Sequence, residues 1–469
     1  MLFNSIDFVL FLPIVIIGYF LLNAKYSWIL LLSASYYFYA SWKLEYIVLI
    51  LFSTGVDYFC GIQMQKKADK KQRRPFLILS ILSNLGLLFG FKYWNFFTES
   101  ANELLSSLDV ATSIPLFNVL LPVGISFYTF QTLSYSIDVY KGEQKAERHL
   151  GYFALYVSFF PQLVAGPIER YSRLAPQLKA QHHFDYDNLK NGLRLILFGL
   201  FAKMVVADNL GPFVDEIYAH SELYNSFSIG LGMIFYSFQI YCDFFGYSLI
   251  AIGSALVMGI HLMDNFKSPY LSKNIAEFWQ RWHISLSTWF RDYLFFPMGG
   301  SRSKVFRWVF NIFTVFIVSG LWHGANYTFL FWGLIFALAY LLEKGINKLI
   351  KVKKIKPFSL VHILLSLKTF VIITLAWVFF RSASISDAIE LLGNLLSNLH
   401  LNQELTVSLM LGIVFGAFIL IDLLLYNKRY DSWVDKQHIS IRWVSYFLLI
   451  FSVVSFSGVE EIPFIYFQF

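Results

Sequence analysis

The chain has 469 residues, 57% of them apolar, 19% aromatic and only 14% charged. Disorder needs low hydrophobicity and high charge, and a soluble domain carries about a quarter charged residues, so both are excluded. The net charge of +7 sits mainly in short segments between apolar runs, where membrane topology explains it before any nucleic-acid partner does. Cys60 and Cys242 both lie in apolar runs and provide neither a disulfide framework nor a metal site.

Apolar runs of about 18 or more residues read as transmembrane helices. The first, Asp7 to Leu22, has no basic segment before it and is expected to be a retained helix, not a cleaved signal. Runs follow at 26–42, 45–64 and 76–94. Lys66, Lys67, Lys70, Lys71, Arg73 and Arg74 separate the last two. Such a cluster marks the cytoplasmic side and places the N-terminus outside. The loop 95–117 carries Glu99, Glu103 and Asp109 and no basic residue, as an external loop should, and 141–149 is basic again. The apolar stretch 152–169 runs into Arg170, Arg173 and Lys179, so both its flanks are cytoplasmic. With Pro161, Gly166 and Pro167 inside it, it is predicted to be re-entrant.

A run at 190–207 leads to an acidic loop with no Lys or Arg, and a run from 226 returns. A hairpin at 306–322 and 325–343 leads to a lysine-rich stretch before Pro357. Runs at 358–380, 406–426 and 440–457 complete the chain, with a nearly base-free loop at 381–405, a basic one at 427–437, and Glu460 and Glu461 in the tail. Charge and side agree throughout for about twelve crossings. The expected fold class is an all-α polytopic membrane protein with about 11–12 transmembrane helices plus re-entrant or in-plane helices. It forms one integral-membrane domain over 1–469, with no visible repeat.

The segment 263–305 is too polar to span and too aromatic for a solvated loop. On a helical wheel Glu277, Arg281, Ser285, Thr288 and Asp292 form a polar stripe, opposite Phe278, Trp282, Leu286, Trp289, Tyr293 and Phe296. This predicts an amphipathic helix at the membrane surface or packed in the fold. His283 falls at the border of the aromatic face, next to Ser287, and a plain interfacial anchor with a packed histidine fits the same spacing. The run from Trp308 to Trp322 spans about 22 Å as a helix against a hydrocarbon core of about 30 Å. His323, followed by Gly324 and Asn326, is therefore expected at membrane depth, where an ionisable group is a functional candidate. An interfacial histidine on a short turn is the alternative. Gln239, Tyr241 and Asp243 form a candidate polar network, or ordinary interhelical hydrogen bonds, with Asp243 expected to pair with a base of 263–305. Lys203 and Arg194 are expected to snorkel.

No paired carboxylates, metal cluster, phosphate loop or Ser-His-Asp order stands out. Two histidines and a basic cytoplasmic rim remain, and histidine is the usual general base near neutral pH. A base of that kind can take the proton of a hydroxyl that attacks an activated acyl group.

WHG in an apolar hairpin (322–324), RWHISLSTWFRDYLFFPMGG (281–300), QLVAGPIERY (162–171), LPVGISFYTFQTLSYSIDVYKGE (121–143) and the terminal PFIYFQF resemble the membrane-bound O-acyltransferase family, in its bacterial alginate O-acetyltransferase branch. The similarity runs from the first residues to the last. It implies a funnelled fold, His323 as the catalytic histidine and His283 as the second histidine of the site. YCDFFGYS (241–248) departs from the family pattern at Phe245, where a small residue is usual. Trp322, Asn326, Arg281, Ser287, Asp243 and Gln239 complete the expected site as support or as tunnel walls for acyl donor or acceptor. The resemblance further implies acetyl-CoA as cytoplasmic donor with no permanently bound cofactor, and an extracytoplasmic partner protein or polysaccharide as acceptor. The setting is a bacterial inner membrane, with lipid but no nucleic acid as a partner. D-alanyl transfer to teichoic acid, a secondary transporter or flippase, and an inactive assembly subunit are the competing readings.

Overall fold

The computed structural model describes residues 1–110, 112–117, 121–164, 166–349, 355–400, 403–456 and 462–467. Lys351, Lys353 and Lys354 of the lysine-rich stretch, and Glu460 and Glu461, lie outside the described residues. The described residues contain helices and no strand. Seven helices are long and apolar enough to cross a membrane, and Ile6–Leu21 and Leu409–Leu424 are shorter apolar helices. The other expected crossings fall on shorter or more polar helices. Ala24–Ala40 has 17 residues. Tyr186–Leu200 continues through a π-helical stretch, Phe201–Ala207, into Asp208–Ala219, and carries Lys203 and Asp208. The protein is an all-α, multi-pass membrane protein.

The described chain forms two compact units. One comprises Met1–Lys190 with Ser254–Met263, and the other Asn191–Gly253 with Asp264–Phe469.

In the first unit, Ile47–Gln65, Lys70–Leu88 and Ile125–Lys141 pack together around polar side chains. Asp57, fully buried, accepts from Asn84 Nδ2 at 2.7 Å, from Ser136 Oγ at 3.0 Å and from Ser80. Three donors replace the water that a carboxylate loses among apolar helices. The predicted re-entrant stretch is a short helix, Leu150–Ser158, a break at Phe159, and one further turn, Phe160–Leu163. Nine residues at the helical rise reach only about 14 Å, far short of a bilayer. Gly124 opens the helix Ile125–Lys141 at φ 76°, and a Cβ there would meet the Leu163 carbonyl oxygen at 2.7 Å. Only glycine combines that backbone with that approach.

The expected external loop 95–117 is largely helical. The helix beginning at Lys70 does not stop near residue 94 but shifts register through a π-helical turn, Phe89–Tyr93, and runs on to Ser107. Asn102 then clasps the Ile114 backbone through both its N–H (2.8 Å) and its carbonyl (3.0 Å), which folds the acidic stretch back along this helix.

The long helix Ser226–Val257, in the second unit as far as Gly253, has an apolar window that is 94% buried, whereas that of Ile439–Phe456 is 6% buried. A helix apolar on every side is sheathed by protein in the first case and offers its side chains to lipid in the second. The hairpin Val305–His323 and Tyr327–Leu349 is held at near backbone contact. A Cβ on Gly320 would lie 2.2 Å from the Phe329 carbonyl oxygen, and one on Gly333 would lie 2.4 Å from that of Phe316.

Segment 263–305 departs from the wheel drawn on its sequence. It is two short helices, Ile275–Arg281 and Ile284–Phe290, broken at His283, whose backbone is left-handed at φ 41°. Glu277 and Arg281 pair on the first helix at 2.9 Å, while Ser285 and Thr288 belong to the second. The polar stripe is therefore not continuous. The two lysine and arginine expectations change as well. Lys203 does not snorkel: its side chain is 1% exposed and pairs with Asp208 and Asp243, each at 2.6 Å. Arg194 is held by Asp435 at 2.9 Å, Tyr446 at 2.7 Å and Asn191 at 2.8 Å.

Candidate active site

His323 is the last residue of the helix Val305–His323 and is 3% exposed. His283 sits at the break between two helices and is 0% exposed. Both imidazoles face the indole of Trp322, at ring-centre distances of 5.0 Å for His323 and 5.8 Å for His283. The circuit closes on its other side. The Tyr466 ring lies 5.6 Å from His323 and 4.8 Å from Phe244, which meets His283 edge-on at 4.6 Å. Trp332 at 5.2 Å and Phe380 at 5.3 Å cover the remaining side of His323. Two titratable rings thus share one aromatic enclosure. Excluding water there strengthens every electrostatic interaction within it.

The left-handed turn that aims His283 has an identifiable cause. Backbone N–H groups at the start of a helix need acceptors. Asn265 supplies two: its carbonyl oxygen takes the Ile284 N–H at 3.0 Å and its Oδ1 takes the Ser285 N–H at 3.2 Å. Its Nδ2 donates to Ser248 Oγ at 3.1 Å, which ties the turn to the long helix. Ser285 Oγ lies 3.5 Å from His283 Nδ1. Burial pushes the His283 imidazole down to about 3, so it stays neutral at physiological pH.

The other expected site residues are placed as follows. Trp322 packs against both histidines. Ser287 serves the His283 turn, its N–H donating to the His283 carbonyl at 3.0 Å and its hydroxyl to the Trp282 carbonyl at 3.2 Å. Asn326 begins the helix Tyr327–Leu349: its Oδ1 accepts the Thr328 N–H at 3.0 Å and its Nδ2 donates to the Ala383 carbonyl at 2.8 Å. Arg281 is committed to Glu277, Asn427 (2.7 Å) and Tyr426 (3.1 Å). Gly324 admits the Phe329 ring, which a Cβ would meet at 2.0 Å.

Asp243 pairs with Lys203 and not with a base of 263–305; Lys203 already lies buried beside it, and the arginine of that segment at 281 is spent elsewhere. Gln239 borders a cavity of about 200 Å³ together with Lys203, Asp208, Asp215, Asp243 and Arg381. Its Oε1 is buried with no hydrogen-bond partner among the described residues.

Sequence reasoning missed Asn265, Phe244, Tyr466, Trp332 and Phe380. Tyr466 lies in the PFIYFQF motif and Phe244 beside Asp243, so local signals existed for both. Asn265 carries no signal in the sequence.

Residues 148–386 match the model of the membrane-bound O-acyltransferase family. Over its whole length the chain is 34% identical to the whole of a probable alginate O-acetylase of Pseudomonas putida. It is 35% identical to a peptidoglycan O-acetyltransferase of Helicobacter pylori, across 86% of this chain and 82% of that one. Similarity to a teichoic acid D-alanyltransferase of Bacillus subtilis is 32%, across 48% of this chain and 59% of the relative. With the paired histidines in their aromatic enclosure, these matches carry one conclusion: the chain belongs to the membrane-bound O-acyltransferase family, in the branch of the alginate O-acetylases, and is an O-acyltransferase.

Proposed function

We propose that the protein transfers an acetyl group from cytoplasmic acetyl-CoA to a hydroxyl on the extracytoplasmic side of a bacterial inner membrane, for O-acetylation of an alginate-like or other exopolysaccharide. The whole chain works as one catalytic domain with its N-terminus outside. The acceptor is the polymer itself or a partner protein that delivers the group to it. His323 takes the hydroxyl proton, the oxygen forms its bond to the acetyl carbon, and the carbon–sulfur bond breaks. The coenzyme A thiolate leaves and recovers a proton. His283 and Trp322 hold acceptor and imidazole in line, and the donor is the sole co-substrate, with no resident cofactor.

The observation that carries this reading is the pair of buried histidines that both pack against Trp322. A second feature supports the donor side. A cavity of about 140 Å³ is bordered by Lys267, Lys428, Arg429 and Tyr241, and its wall includes Asn265, the residue that holds the His283 turn. Lys267 and Lys428 are exposed, and cations there suit the phosphates of coenzyme A, which cannot enter hydrocarbon cheaply. The more extensive similarity to O-acetylases than to D-alanyltransferases favours acetyl over D-alanyl as cargo.

The test uses membrane vesicles, radiolabelled acetyl-CoA and an added extracytoplasmic acceptor. His323→Ala at normal membrane yield should lower transfer by about 10²–10⁴-fold, the usual worth of a general base. Transfer at the wild-type rate in that variant defeats the assignment.

A further inference from the structure

Several helix ends meet at one edge of the first unit. The spanning helix Ile47–Gln65 stops there and the short helix Leu150–Ser158 starts there. Trp28, near the start of Ala24–Ala40, packs against His149 at 4.9 Å and Tyr152 at 5.5 Å. Tryptophan and tyrosine at the ends of spanning helices mark the level of the lipid headgroups.

At this edge a cavity of about 610 Å³ is bordered by Lys145, Arg148 and Lys179, with Glu147 as the one carboxylate on its wall among the described residues. Lys179 comes from a separate segment, the helix Tyr171–Lys179. Glu147 is spent: it accepts from Lys179, from the Tyr171 hydroxyl and from the His149 N–H at 2.8 Å. Lys145 and Arg148 are exposed, and their side chains have no partner among the described residues.

The loop that carries these two cations is held by its backbone. The Ala146 N–H donates to Gln65, the Glu147 N–H donates to the Tyr135 hydroxyl at 2.9 Å, and the Arg148 carbonyl accepts from the Tyr58 hydroxyl at 2.6 Å. A loop tied down at three successive residues has little freedom left to lose on binding. Membrane topology asks for basic residues on one side, and any place in a loop satisfies it. It does not require cations from two segments, 145–148 and 179, to converge on one cavity.

We infer that this cavity binds the phosphate of an anionic phospholipid in the leaflet on the basic side of the protein. Basic pockets at headgroup level take such groups. The Arg148 guanidinium can hold two phosphate oxygens at once, and the lysines supply point charges. The bound headgroup joins the two flanks of the re-entrant segment, with Lys145 and Arg148 before it and Lys179 after it. The inference is independent of the acyl-transfer reading.

The experiment titrates phosphatidylglycerol and phosphatidylcholine of equal chain length into the full-length protein in non-ionic detergent, read by native mass spectrometry. Phosphatidylglycerol should bind about tenfold or more tightly than phosphatidylcholine. Lys145→Ala with Arg148→Ala should weaken phosphatidylglycerol about tenfold or more and leave phosphatidylcholine within about twofold, since the backbone bonds of the loop remain. Lys70→Ala with Lys71→Ala removes two exposed cations that do not border the cavity, and should leave phosphatidylglycerol within about twofold. Equal affinity for the two lipids, an unchanged affinity in the first pair, or an equal loss in the second overturns the site. The single variants Lys145→Gln and Arg148→Gln should each show part of the loss, and wild-type binding in both overturns the site even if the double variant fails to fold. Inorganic phosphate and coenzyme A are added as competitors and should leave the lipid in place. Displacement by either assigns a free phosphate and overturns the lipid as occupant.

Discussion

Replacing Asn265 by alanine isolates the geometry of His283 from its chemistry. The substitution leaves the Asn265 carbonyl, and with it the 3.0 Å bond from Ile284, but removes the acceptor of the Ser285 N–H and the link to Ser248. Ser285 is fully buried, so its N–H loses a partner that water cannot replace. Leaving a buried donor unmade costs about 1–3 kcal/mol, and the lost amide–hydroxyl bond adds about 0.5–1.5 kcal/mol. The left-handed backbone at His283, which a non-glycine residue holds only under external constraint, then has less to maintain it. Taking about 2 kcal/mol as acting on the turn, the aligned state loses about 30-fold in population. The assay is initial-rate acetyl transfer from acetyl-CoA in membrane vesicles, with protein amount normalised by gel fluorescence. The expected result is a kcat about 10–30-fold lower with the donor KM changed by less than about threefold, because Lys267 and Lys428, the cations that suit the donor phosphates, stay in place. A rate within about twofold of wild type, at normal yield, would refute the claim that Asn265 aims His283.

Other consequences follow from the same geometry. The His283 imidazole is pushed down to about 3 by burial, so below about pH 6.5 an unfolded chain takes up a proton that the folded one refuses. Stability from this site is complete above about 6.5 and falls as pH drops toward about 3. Melting temperatures in detergent should therefore decline over that window, and His283→Gln should decline less; parallel curves for the two proteins would contradict a buried neutral imidazole. Gly320→Val should abolish monodisperse protein on size-exclusion chromatography, since even a Cβ would lie 2.2 Å from the Phe329 carbonyl oxygen and neither backbone can move without opening the hairpin. Lys267→Ala with Lys428→Ala should raise the donor KM about tenfold and flatten its dependence on salt, as expected for lost phosphate contacts on a surface screened by ions. An unchanged KM would remove these lysines from the donor route.

Much of the protein is legible in the sequence because the bilayer is a simple solvent. Long apolar runs must be helices, since backbone groups in hydrocarbon have no other partner, and the seven long helices and the hairpin ending at His323 follow from that rule. WHG and RWHISLSTWF likewise mark both histidines before any coordinate is known. What periodicity cannot carry is a relation between residues far apart in the chain. The helical wheel assumes one continuous helix through 275–292, and the break at His283 comes from Asn265, eighteen positions upstream. Asp243 finds Lys203 because two helices of the second unit place them side by side. Tyr466 meets His323 across 143 positions of sequence. Helicity and removal from water are local consequences of composition, and so the chain itself determined them. Which buried charge meets which, and which ring faces the histidine, depends on how the helices pack, and only the tertiary structure decided it.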